Sequence, residues 1–184
     1  PHTITQAELD RVSSHFVVPD LRPANLPSQV DPQGQLYQHW LRQNVRGHRL
    51  PQLRAVTLSF KRAGFAPGDA DAATLDALAQ LADAFSAGEA RVTHEQNLML
   101  PWVHASDLPA LYEAARALGL ARPNIGLISD MIVCPGGDFC SLANARSLPI
   151  AAALTELFED IDEVTDLGPI DLHMSGCINS CGHH

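Results

Sequence analysis

Apolar positions along this chain follow two different periods. "LRAVTLSFKR" (53–62) alternates, with Val56, Leu58 and Phe60 on one side and Thr57, Ser59 and Lys61 on the other, which predicts a half-buried strand. "DAATLDALAQLADAFSAG" switches to a helical spacing, with Leu75, Leu78, Ala82 and Phe85 inward and Gly88 as a stop. "EARVTHEQNLMLPWV" (89–103) predicts a hairpin of two short strands around a Glu95–Asn97 turn. "SDLPALYEAARALGL" returns to helix, with Ser106 as its cap, Leu108, Leu111, Ala115 and Leu118 inward, and Gly119 at its end. Two helices precede these elements. Residues 3–16 place Leu9, Val12 and Phe16 on one face behind a Thr3 or Thr5 cap. Residues 35–45 bury Leu36, Trp40 or Leu41, and Val45, and Pro19, Pro23, Pro27 and Pro32 make the intervening segment an extended connector.

Strand, helix, two strands, helix is a ferredoxin-like α+β arrangement. Beyond it, the apolar run "IGLISDMIVC" predicts a buried strand ending on Cys134. "SLANARS" is expected to start a helix near Ser141, and Pro149 to open another over "PIAAALTELFEDI". "IDLHMSGC" predicts a strand running into Cys177, so both cysteine pairs fall where a strand ends.

Composition adds exclusions. At 184 residues, 46% hydrophobic and 18% charged, the chain is globular, with one large domain or two small ones. A net charge of −9, with eleven scattered Arg and one Lys, argues against a nucleic-acid surface. No apolar stretch reaches the length of a membrane span. No charged-then-apolar leader opens the sequence, which points to a cytoplasmic location, and the start at Pro1 suggests a processed chain or an excised piece. Four cysteines in such a chain suit metal binding or catalysis better than a disulfide framework.

Their pattern is C-x5-C, a gap of 36 residues, then C-x3-C: Cys134, Cys140, Cys177 and Cys181. Four thiolates on two loops can hold tetrahedral zinc or a cubane iron–sulfur cluster. The C-x5-C arm is wide for a zinc knuckle, and a cubane tolerates wider loops. Gly136, Gly137 and Gly176 let backbone N–H groups approach, and the positive end of a helix near Ser141 would face an anionic site. Four reduced cysteines packed as small apolar side chains are the remaining reading.

"CPGGDFCSLANARSLPIA" together with "MSGCINSCGHH" resembles the cofactor motif of the sirohaem-containing nitrite and sulfite reductases, most closely the bacterial assimilatory branch. "RVTHEQNLMLP" (91–101) resembles that family's R-x-T-x-x-Q-N-L hairpin, and residues 1–34 carry none of the resemblance. The resemblance implies that Cys134, Cys140, Cys177 and Cys181 bind a 4Fe–4S cluster, and that Cys181 also bridges to sirohaem iron and is catalytic. It implies cofactor-binding positions at Arg91 and Asn97. It further implies six-electron reduction of sulfite to sulfide or nitrite to ammonia. The electrons would come from a flavoprotein, ferredoxin or NADPH-linked reductase.

The expected organisation is α+β: an N-terminal helix and Pro-rich connector (1–34), a ferredoxin-like half-domain (35–122), and a partial α/β sirohaem and 4Fe–4S module (123–184), truncated at its C-terminus. The family is built from two pseudo-symmetric halves, so this chain's partners would be the remaining halves of its own protein. Alone it is expected to be inactive. A non-catalytic iron–sulfur electron-transfer domain is the alternative. Among other residues, His94 reads as a solvated turn histidine, and His183 and His184 as continuing loop or tag remnant. Arg146 reads as a surface ion pair, Lys61 and Arg62 as strand-end caps, and "ELFEDIDE" as a solvated helix end.

Overall fold

The structure, a computed structural model, describes residues 3–21, 23, 24, 32 and 34–183; Pro27 of the connector and His184 lie outside them. Its centre is an antiparallel pair, β2 (Leu53–Leu58) and β4 (Leu98–His104), with β1 (Val45–Gly47) outside β2 and β3 (Arg91–Val92) outside β4. The order β1-β2-β4-β3 places β4, the second strand of the hairpin, beside β2 and leaves β3 at the sheet edge. Alternation in β2 sends Val56 and Leu58 inward against Leu100 and Val103 of β4, all fully buried. The register runs Thr57↔Met99 and Leu58↔Leu98 and shifts between Arg54 and Val56.

Helices cover this core. α3 (Ala72–Phe85) starts where the Asp71 carboxylate accepts the Thr74 N–H at 2.7 Å. It buries Leu78, Leu81 and Ala82, whereas Leu75, expected inward, is half exposed. α4 (Leu108–Ala117) buries Leu108, Leu111 and Ala115. Ser106 does not cap it: a 3-10 turn over Ala105–Asp107 starts the helical path earlier, so Ser106 already lies inside a turn. α2 (Gln35–Gln43) buries Trp40 as expected, but with Tyr37 and His39 rather than Leu36. Trp40 and Tyr37 pack against Tyr112 of α4, with ring centroids 5.2 and 4.9 Å away. α1 (Gln6–Ser13) is capped by Thr5, yet buries no residue; Leu9, Val12 and Phe16 stay exposed.

The second region is built on a short parallel pair, β5 (Ile132–Val133) and β6 (His173–Met174). The stretch before β5, expected as strand, is instead a loop closed by the Asn124 side chain on Ser129 O (3.0 Å) and by Gly126 N on Asp130 (3.0 Å). α5 (Leu148–Leu157), with Pro149 in its first turn, and α6 (Ile161–Leu167) make the crossover that parallel strands need. Ala151 of α5 packs on Met131 and Val133. No helix forms over 141–147. The N–H groups of Asn144 and Ala145 go to Gly176 O instead, at 2.8 and 3.0 Å, which removes them from any helical ladder.

Candidate metal centre

Parallel pairing brings the exits of β5 and β6 to the same end of the small sheet. Cys134 leaves β5 with its N–H on Met174 O (2.9 Å), and Cys177 follows β6 by three residues. The two loops are then joined directly. Gly137 N donates to Ala145 O (2.9 Å), the 144–145 amides reach Gly176 O, and Ser147 Oγ donates to Cys134 O. Side chains would not fit here. A Cβ on Gly176 would lie 2.7 Å from Gly136 Cα, and one on Gly136 would lie 2.6 Å from Ala145 O. Gly136 also has φ +61°, a backbone region that glycine enters without strain.

The four thiols converge on this junction. None is in a disulfide; Cys134 is buried, Cys140 and Cys177 half-buried, and Cys181 exposed. Backbone N–H groups of Gly176 and Gly136, the latter 3.4 Å from Sγ, hold the Cys134 thiol below its ordinary range, helped by Cys181. Cys181 is pushed up, first by partial desolvation although it lies at the surface, then by Cys134, Cys177 and Cys140. Each of the other thiols is thus near enough to act on Cys181. Among the described residues no three His, Cys, Asp or Glu side chains are grouped to hold a single metal ion. Four coupled thiols, glycine clearance and N–H groups aimed at sulfur suit a four-thiolate cluster.

The hairpin tip lies beside this junction. Asn97 is buried, with Oδ1 accepting from Phe60 N (3.0 Å) and Nδ2 donating to Asp130 (2.8 Å), so both ends of its amide are engaged within the protein. Arg91 is exposed, 2.5 Å from Glu89, with its guanidinium 5.8 Å from the Trp102 ring centre. His94 is an exposed turn residue, as expected, and stacks on His183 at 3.8 Å, with His173 at 6.2 Å from the His183 ring. A cleft of about 400 Å³ there is lined by Arg46, His94, Glu95, Asp130, Asp171 and His173, among others. Arg146 pairs with Asp138 (Nε–Oδ1 2.7 Å) at the surface, as expected.

Lys61 is no strand-end cap. It is 2% exposed, and its ammonium donates to Glu95 O (2.5 Å) and Gln96 O (3.1 Å), 3.8 Å from Asp130. From sequence, Lys61 is expected only as a strand-end cap and Gln96 only as part of the hairpin turn, while Asp130 carries no expected role. The one lysine of the chain, next to the apolar Phe60 at the end of the alternating run, is the sequence signal that marks Lys61.

The chain has relatives that match both regions. A family model described as the nitrite/sulfite reductase ferredoxin-like half domain matches residues 51–118. The chain is 34% identical over 68% of its length to the chloroplastic ferredoxin–nitrite reductase of Arabidopsis thaliana, covering 21% of that protein. It is 32% identical over 64% of its length to sulfite reductase [ferredoxin] 1 of Mycolicibacterium paratuberculosis, covering 22% of it. Among solved structures, Mycobacterium tuberculosis NirA protein superposes with a TM-score of 0.58 at 27% identity, over 87% of this chain and 27% of that one. The chain therefore spans about a quarter or less of the curated relatives named here. The α+β fold, the half-domain match and these relatives together establish that the chain belongs to the nitrite and sulfite reductase family.

Proposed function

We propose that this chain is the cluster-holding part of a sirohaem and 4Fe–4S reductase of nitrite or sulfite, with Cys134, Cys140, Cys177 and Cys181 as cluster ligands. The carrying observation is the junction of two strand-end loops that gathers four thiols around glycine-lined backbone. When bound, the two cofactors supply one-electron storage and an iron at which the anion undergoes six-electron reduction. The chain's own groups prepare the site. Gly136 and Gly176 N–H groups stabilise the Cys134 thiolate, the most enclosed of the four. Cys181, the exposed one, faces outward, which suits a thiolate shared with sirohaem iron. Phe139 (79% exposed) and Ile178 (94%) stand on the same loops and offer apolar cover that excludes water once a second wall closes over them.

Anion binding belongs elsewhere in the full enzyme. The cleft by the hairpin carries Glu95, Asp130 and Asp171 against Arg46, and the chain is −9 overall, so it repels an oxyanion and the carboxylates of sirohaem. The chain alone is therefore inactive and works with the remaining parts of its enzyme, fed by ferredoxin as in the relatives' names. Arg91, at the free edge of the sheet, is the hairpin residue open to a cofactor; Asn97 serves by holding the tip.

Anaerobic reconstitution of the chain with iron and sulfide tests this. About four irons and four sulfides per chain are expected. Each single Cys→Ser variant should lose most of that iron. Full iron and sulfide in all four variants would overturn the assignment.

A further inference from the structure

Gln96 joins the hairpin tip to the strand that carries Cys134. Its Nε2 donates to Val133 O at 3.0 Å, and its Oε1 accepts the Val133 N–H at 2.9 Å. The opposite edge of β5 is already paired, with Ile132 N on Leu172 O and Cys134 N on Met174 O, both 2.9 Å. Successive strand residues point their polar groups to opposite edges, so the Val133 pair faces away from β6. Val133 is 2% exposed, which leaves its N–H and C=O little access to water. A primary amide carries the same donor and acceptor as a peptide group. Gln96 therefore gives Val133 the hydrogen bonds a third strand would supply.

The glutamine is itself held. Lys61 grips the carbonyls of Glu95 and Gln96, and the Thr93 hydroxyl accepts the Asn97 N–H at 3.2 Å. Gln96 has φ +55°, and a Cβ on Gly68 would come within 2.9 Å of the Gln96 Cβ, so residue 68 has no room for a side chain.

We propose that Gln96 is a positioning residue for the cluster loop, fixing the end of β5, and with it Cys134, to the half-domain sheet. Its bearing on cofactor retention rests on the cluster reading above. Its bearing on the β5 backbone does not.

The test uses the 184-residue chain and its Gln96→Ala and Gln96→Glu variants. Amide hydrogen exchange is read without metal, and iron release to a ferrous chelator after anaerobic reconstitution. In Gln96→Ala the Val133 and Cys134 amides should exchange about tenfold faster or more, as expected when buried hydrogen bonds are removed, while Val56 and Leu100 keep their protection. Gln96→Glu retains an acceptor for Val133 N–H but sets a charge against Val133 O, so it should fall between. Iron should leave Gln96→Ala several-fold faster than wild type. Unchanged protection at Cys134 in Gln96→Ala overturns the proposal, as does unchanged iron release from a chain that binds iron. A wild-type chain that takes up no iron strikes the cluster reading instead, and the Cys134 exchange then decides this one.

Discussion

Asn97 donates its side-chain amide to Asp130 at 2.8 Å while its carbonyl oxygen accepts the N–H of Phe60 at 3.0 Å. One side chain thereby joins the segment just after β2, the hairpin tip and the loop before β5. Asn97→Ala leaves both partners buried with a bond missing. At about 1–3 kcal/mol for each of the two unsatisfied groups, a loss of about 2–6 kcal/mol is expected. Urea denaturation at neutral pH measures it, and a loss below about 0.5 kcal/mol, the size of an ordinary surface change, would contradict the arrangement.

Lys61 makes the same region sensitive to alkali. Burial pushes its ammonium down to about 8 from 10.5, only partly opposed by Asp130 and Glu95. The unfolded chain therefore holds a proton that the folded chain has released between those two values. Stability from this group rises with pH across that window and is flat below it, by on the order of 3 kcal/mol. The thiols titrate nearby, so the readout is a difference: the urea midpoint of wild type relative to Lys61→Met should rise from pH 7.5 to pH 10.5. A parallel pH dependence in both proteins would show that Lys61 does not carry the effect.

Glycine clearance at the junction gives a site-selective prediction. Gly176→Ala places a methyl 2.7 Å from Gly136 Cα, whereas Gly47→Ala meets nothing within 4 Å. Reconstituted iron should fall several-fold in the first variant and hold in the second, with far-UV circular dichroism of both close to wild type. Equal iron in the two would show that the loops have slack.

Leu100 and Leu9 separate core from surface. Leu100 is fully buried between β2 and the helices, so Leu100→Ala should cost about 2–5 kcal/mol. Leu9 lies on the unpacked face of α1, and Leu9→Ala should change stability by no more than about 0.5 kcal/mol. A large loss from the second would reveal packing of α1 in solution.

Much of this was legible in residue order. Alternation in 53–60 and the helical spacing of 72–85 and 108–117 gave the central sheet and its covering helices, because one face of each element is apolar. Both cysteine pairs were placed at strand exits, and Cys134 and Cys177 lie there. What local reading missed came from groups distant in sequence. "SLANARS" has helical residues, but Gly176 O draws its N–H groups away. Leu75 and Leu36 have the right period but the wrong phase, which tertiary packing sets. Lys61 and Gln96 look like surface residues, and their contacts are made with Asp130 and Val133, more than 30 residues further along.

The parallel pairing of Val133 with Met174 also orders events during synthesis. The half-domain closes on contacts among residues 37–121, all made before β6 exists. Cys134 and Cys140 then emerge with the hairpin already available to receive β5, but 36 residues separate Cys140 from Cys177. At about 5–20 residues per second, completing the thiol set through Cys181 takes roughly 2–8 s more. During that interval two thiols stand open to oxidation without their partners. On the cluster reading proposed above, cofactor delivery follows translation of the β6 loop, and the early-formed sheet keeps one side of the junction in place until then.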